Sequence, residues 1–172
     1  EGSYARNPEG APRILEARNM IQCIHDQDLN VVMDVVFNHT HKAADDPGAV
    51  LDKIVPGYYY RTNEKLYPHQ STCCPDTASE RPMMLKLMVD SIVRFAKHYH
   101  VDGFRFDLMG HHTVQNLASI RKALDSLPGG SDIILYGEGW AFGSLHDELG
   151  YLPMNQSNAA GTGVGTFNDR MR

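Results

Sequence analysis

Three short apolar runs, each flowing directly into polar residues, constrain this chain more than any other feature. Leu29 to Phe37 (LNVVMDVVF) ends at Asn38-His39, Val101 to Leu108 carries Arg105 and Asp107, and Asp132 to Tyr136 runs into Gly137-Glu138-Gly139-Trp140. Runs of this length, rich in Val, Ile and Phe, read as strands. Helical patterns alternate with them. Ile14, Ala17, Ile21 and Ile24 recur at helical spacing behind Pro12, in a helix ending near Gln27; Leu85, Met88, Ile92, Phe95 and Tyr99 form a second stripe; Val114, Leu117, Ile120 and Leu124 form a third. Strands alternating with helices predict consecutive βα units of a parallel sheet, so the expected fold class is α/β.

In a strand alternate side chains share a face, so Arg105 and Asp107 are expected on one side, with Phe104, Phe106 and Leu108 packed on the other. An isolated R-x-D pair reads first as a structural ion pair. What changes the balance is company. In parallel α/β folds active residues gather at the C-terminal ends of strands. Those ends bring Asn38, His39, Arg105, Asp107, Glu138 and Trp140 to one rim. Paired carboxylates beside a scissile bond are the usual apparatus of glycoside hydrolysis, and their separation decides between retention and inversion. Asp34, embedded among valines, must find partners, because a buried carboxylate without them is costly.

Local signals refine this outline. Thr77-Ala78-Ser79-Glu80 has capping-box spacing ahead of the second helix, and Thr113 is placed to cap the third, which Pro128-Gly129-Gly130 ends. Met83, Met84 and Met88 read as core filler. Residues from about 40 to 76 show no sustained periodicity, and a loop of that length is usually functional or disordered. Its run Tyr58-Tyr59-Tyr60 favours a folded loop, with at least two of the three rings packed beneath it. His111-His112 read as an exposed loop pair at least as well as a border of the site, and Phe167-Asn168-Asp169-Arg170 as a structural turn. His25, His98 and His100 receive no role. Gly161-Thr162-Gly163-Val164-Gly165 has the wrong context for a nucleotide-binding loop, with no strand expected before it.

Bulk properties exclude several classes. A formal net charge of -5 and the lack of a basic run argue against nucleic acid as a partner. No apolar run approaches a membrane span, and Glu1 to Arg6 lack the basic start and apolar core of a signal peptide. The compartment is left unassigned. Cys23, Cys73 and Cys74 indicate no disulfide framework, and the adjacent pair lacks the C-x-x-C spacing of zinc ligands. No metal or other cofactor is expected, since calcium finds no ligand cluster in the sequence.

At this point a resemblance becomes specific. VVMDVVFNH (Val31 to His39), DGFRFDLMG (Asp102 to Gly110) and YGEGW (Tyr136 to Trp140) resemble, in order and spacing, the first three of four short motifs of the α-amylase family of glycoside hydrolases. VPGYYYR (Val55 to Arg61), STCCPDTASE (Ser71 to Glu80), LMGHH (Leu108 to His112) and GTGVGTFNDR (Gly161 to Arg170) resemble its pullulanase and limit dextrinase branch. The resemblance covers nearly the whole chain. It implies a partial (β/α)₈ TIM barrel, roughly the second helix through the fifth strand, with residues 1–172 inside one catalytic domain. It implies Asp107 as nucleophile and Glu138 as general acid, with His39, Arg105 and Trp140 contacting the sugar.

The implied activity is retaining hydrolysis of α-1,6-glucosidic bonds in pullulan and branched limit dextrins. Its alternatives are another α-amylase-family activity on α-1,4-glucans and a glycan-binding homologue without catalysis. The expected partner is an α-glucan. The family's fourth motif, which supplies a further histidine and a third acid, has no counterpart here, so the chain is expected to need the remainder of a longer parent chain, and alone to be inactive and prone to aggregate.

Overall fold

The computed structural model describes residues 4–141, 145 and 150–171. Glu1, Gly2 and Ser3, the first residues of the segment inspected for a leader, lie outside them. The elements run α1 (Ala11–His25), β1 (Val32–Val35), α2 (Pro82–Tyr99), β2 (Gly103–Phe106), α3 (Val114–Asp125), β3 (Ile134–Gly137) and β4 (Gly165–Thr166). Each strand pairs in parallel with the next in chain order, giving a sheet β1-β2-β3-β4. The α/β expectation holds. No helix among the described residues is long and apolar enough to cross a membrane.

The strands are shorter than the apolar runs that announced them, and the sheet extends one strand further than expected. β4 is two residues long and begins with a glycine, too short to leave a period-two pattern. β1 lies at the edge of the described sheet, and its alternate residues Val32 and Asp34 are exposed. β2 lies between two neighbours, and its Phe104 and Phe106 are fully buried. Its register sets Asp34 beside Arg105 and Arg105 beside Tyr136.

Helix packing follows the periodicity. Met84, Met88, Ile92 and Ala96, four residues apart, form the buried face of α2, and Leu117, Ile120 and Leu124 that of α3. Met83 departs from the core reading, pointing outward from the first turn of α2 with 49% exposure. Thr113 caps α3 as expected: its hydroxyl accepts from the Asn116 amide at 3.0 Å, and Asn116 Oδ1 accepts from Thr113 N at 2.9 Å. The capping box expected at Thr77–Glu80 does not form. α2 starts five residues after Thr77, at Pro82, whose fixed φ suits a first helical position. Thr77 instead donates its hydroxyl to Phe37 O, and Glu80 is drawn away by Arg61.

That Arg61–Glu80 pair fixes the long loop to the sheet. Arg61 Nη2 donates to Glu80 Oε2 at 2.8 Å and to His111 O at 2.8 Å, and the two side chains are 3% and 8% exposed. The loop then closes onto the end of β1 through Thr40 N to Pro75 O at 3.2 Å and Thr77 N to Asn38 O at 3.0 Å. Tyr59 and Tyr60 are buried beneath it, and Tyr58 stacks under Arg81 at 5.6 Å. The loop is thus ordered by its own core and one buried ion pair.

Removing one partner of a buried pair strands the other charge. Arg61→Ala is expected to cost about 3–5 kcal/mol in urea unfolding, whereas Arg61→Met with Glu80→Leu costs less than that single change. Equal losses would assign the effect to packing alone.

Candidate active site

Arg105 occupies the middle of the candidate site because β2 is flanked on both sides. Its Nη1 donates to Asp34 Oδ1 at 2.8 Å and Oδ2 at 3.1 Å, and to Asp107 Oδ1 at 3.1 Å. Its Nη2 donates to Glu138 Oε1. One guanidinium thereby gathers carboxylates from the ends of β1, β2 and β3. Burial alone would lower the Arg105 pKa, but its hydrogen bonds to Asp34 and Asp107 outweigh that, so it is raised. The side chains of Arg105, Asp107 and Glu138 retain 18%, 25% and 21% exposure, so the cluster is recessed yet reachable.

Asp107 and Glu138 are each also held from a second direction. Asn38, 1% exposed, donates from Nδ2 to Asp107 Oδ2 at 3.0 Å and to Asp107 O at 2.8 Å. Glu138 Oε2 accepts from Leu108 N at 2.9 Å. That second bond depends on Leu108 adopting a left-handed conformation (φ 42°, ψ 49°), which costs a non-glycine residue about 1–2 kcal/mol. The turn places strain beside the acids, a common feature of functional sites. Gly137 is required for the same approach, since a Cβ there would stand 2.4 Å from Phe106 O.

The structure brings His39 to the same rim. Its Nδ1–H donates to Asn38 Oδ1, forming a chain from His39 through Asn38 to Asp107. Nε2 is left facing outward, 3.8 Å from Cys73 Sγ. Trp140 sits one ring away from the acids, stacked on Phe167 at 6.4 Å and 27°. Phe167 in turn lies under the Arg105 guanidinium at 5.7 Å and meets Tyr136 edge-on at 5.6 Å.

Phe167 is therefore a site residue that sequence reasoning missed by placing it in a structural turn. The available signal was an aromatic at the end of the short stretch Val164-Gly165-Thr166, directly after a glycine-rich turn. Arg61 and Glu80 were also overlooked as loop anchors. His111 and His112 need correction in the other direction: they are 1% and 0% exposed, behind the site instead of on an exposed loop. Burial lowers the pKa of both, that of His112 to about 3, with Arg61 and His111 adding to the effect on His112. The His112 ring meets Phe106 edge-on at 6.4 Å, and among the described residues neither of its nitrogens is hydrogen-bonded.

Fold and rim define a class: a carboxylate site organised by arginine at the C-terminal ends of parallel α/β strands. No family model matches the chain. Relatives do. It is 47% identical to pullulanase 1 of Arabidopsis thaliana and 47% identical to a Klebsiella pneumoniae pullulanase, in both cases over 100% of its own length. A Klebsiella pneumoniae pullulanase solved with maltotriose superposes with a TM-score of 0.93 at 46% identity, again over 100% of this chain. Over its full length the chain is homologous to pullulanases. It spans 18% and 16% of those two relatives and 16% of that solved chain.

His112 has a pH consequence. Its folded pKa of about 3 lies below the ordinary value of 6.5, so between those values the unfolded chain binds a proton that the folded chain refuses. Stability is then full above pH 6.5 and falls as pH drops toward 3, by on the order of 3 kcal/mol between pH 6.5 and 4 from this group. Denaturant midpoints across that range should show the slope, and His112→Leu should flatten it.

Proposed function

We propose that this chain carries the cleavage site of an α-1,6-glucan debranching hydrolase acting on pullulan and branched limit dextrins with retention of configuration. The observation that carries the reading is the single guanidinium of Arg105 holding Asp107 and Glu138 together on a recessed rim. Residues 1–172 lie within one (β/α)₈ catalytic domain, with the loop of about 40–76 folded over its rim and further strands of the barrel pairing with β1 and β4.

In this mechanism Asp107 attacks the anomeric carbon while Glu138 gives its proton to the departing glycosidic oxygen. The C–O bond breaks and a glycosyl ester forms on Asp107. Glu138 then takes a proton from water, whose oxygen displaces Asp107 and regenerates both groups. The transition state is oxocarbenium-like and cationic. Asp34 and Asp107 beside one guanidinium leave the rim with excess negative charge where that cation develops, and Glu138 adds to it as it gives up its proton, the sense expected for electrostatic stabilisation. His39 Nε2 and Arg105 contact sugar hydroxyls in the cleavage subsite, and Trp140, stiffened by Phe167, forms a wall against a ring face. No cofactor is required.

With the intact protein, pullulan should yield maltotriose, and the first-formed product observed by NMR should be the α-anomer. Asp107→Asn should abolish turnover, and Glu138→Gln should lower kcat by about 10²–10⁴-fold. Undiminished activity in either variant rejects the assignment, and cleavage of linear maltodextrin but not pullulan moves it to the α-1,4 class.

A further inference from the structure

His39, Cys73 and Cys74 converge although the sequence separates the histidine from the cysteines: one ligand atom from each lies within 4.8 Å of the others. Adjacent cysteines alone gave no reason to consider a metal. The fold adds the third donor, because the long loop returns antiparallel to the segment that follows β1, pairing His39 with Asp76 just beyond the cysteines.

We propose that His39 Nε2, Cys73 Sγ and Cys74 Sγ form a binding site for a thiophilic divalent cation of the zinc type, at the edge of the carboxylate cluster. The histidine–cysteine spacing is close to what such an ion requires, and all three donors lie within 4.8 Å of one another. A nitrogen and a sulfur bound to one tetrahedral zinc ion stand about 3.6 Å apart, from bond lengths of about 2.0–2.1 and 2.3 Å. Cys73 Sγ and His39 Nε2 are 3.8 Å apart.

The tautomer also fits. With its Nδ1–H engaged by Asn38 Oδ1, His39 presents the Nε2 lone pair outward, the outer-shell arrangement that orients metal-binding histidines. Asn38 is itself fixed by Asp107, so the imidazole is oriented before any ion arrives. Cys73 is exposed and Cys74 partly so, which gives the ion an entry path. Two thiolates and an imidazole select zinc-like or cuprous ions over magnesium or calcium. Binding releases the two thiol protons as the two sulfur–metal bonds form, and the fourth position is left to water or an anion.

The consequence rests on the function proposed above. His39 cannot hold an ion through Nε2 and contact a sugar hydroxyl with the same atom. The ion therefore acts as a reversible inhibitor, and its site is separable from the acids by mutation.

The test uses the intact protein, reduced with a phosphine and titrated with Co²⁺ under argon. One equivalent should produce a thiolate charge-transfer band and tetrahedral visible bands, which Zn²⁺ bleaches. Cys73→Ser with Cys74→Ser should lose the bands, and His39→Ala should weaken binding at least tenfold. Zn²⁺ should inhibit pullulan hydrolysis reversibly by chelator, and the double serine variant should keep its activity while needing at least tenfold more Zn²⁺. Absence of the bands in reduced wild type, or their survival in the double serine variant, overturns the site. Bands in a protein that does not cleave pullulan support the metal site and count only against the proposed activity.

Discussion

The geometry of this rim depends on one guanidinium held in the middle of a parallel sheet. Arg105 reaches Asp34 on one neighbouring strand, Asp107 two residues ahead on its own, and Glu138 beyond the next. Without that cation three carboxylates would be brought together with nothing to offset their repulsion. The strand register makes the arrangement available: Asp34 is paired with Arg105 across β1 and β2, and β3 ends one residue before Glu138. A slip of one residue would turn Arg105 to the opposite face, toward Phe104 and Phe106 in the core.

Around this centre the supporting groups act in layers. Asn38 grips Asp107 and orients His39, while the strained turn at Leu108 aims a backbone amide at Glu138. Behind them Arg61, Glu80 and the His111 carbonyl tie the long loop to the segment after β2. The loop therefore sets the position of Cys73 and Cys74 relative to His39. That placement is set by a part of the chain that contributes none of the acids.

The parallel α/β order and the acidic rim were legible from sequence because they rest on short-range patterns: apolar runs, helical stripes, and polar residues at strand ends. Asp107, Glu138, Arg105 and His39 fall together as those patterns imply. What escaped was set by long-range contacts. Glu80 looked like a capping residue until the buried Arg61 claimed it. Phe167 follows a two-residue strand whose pairing with β3 alone reveals that it lies beneath Arg105. His111 and His112 carry polar side chains, and only the packing of the loop and α3 shows that they are enclosed. The His39–Cys73–Cys74 cluster joins residues more than thirty positions apart through a loop with no periodicity at all.

The proposed division of labour between Asp107 and Glu138 is tested most directly by an attempt to trap a covalent intermediate. In Glu138→Gln, α-maltotriosyl fluoride should still react, because fluoride leaves without a proton, while hydrolysis of the ester stalls for want of a base. Mass spectrometry of the intact protein and of its peptides should then find one maltotriosyl group on Asp107. A label on another residue, or turnover of the fluoride with no covalent species, would contradict the account.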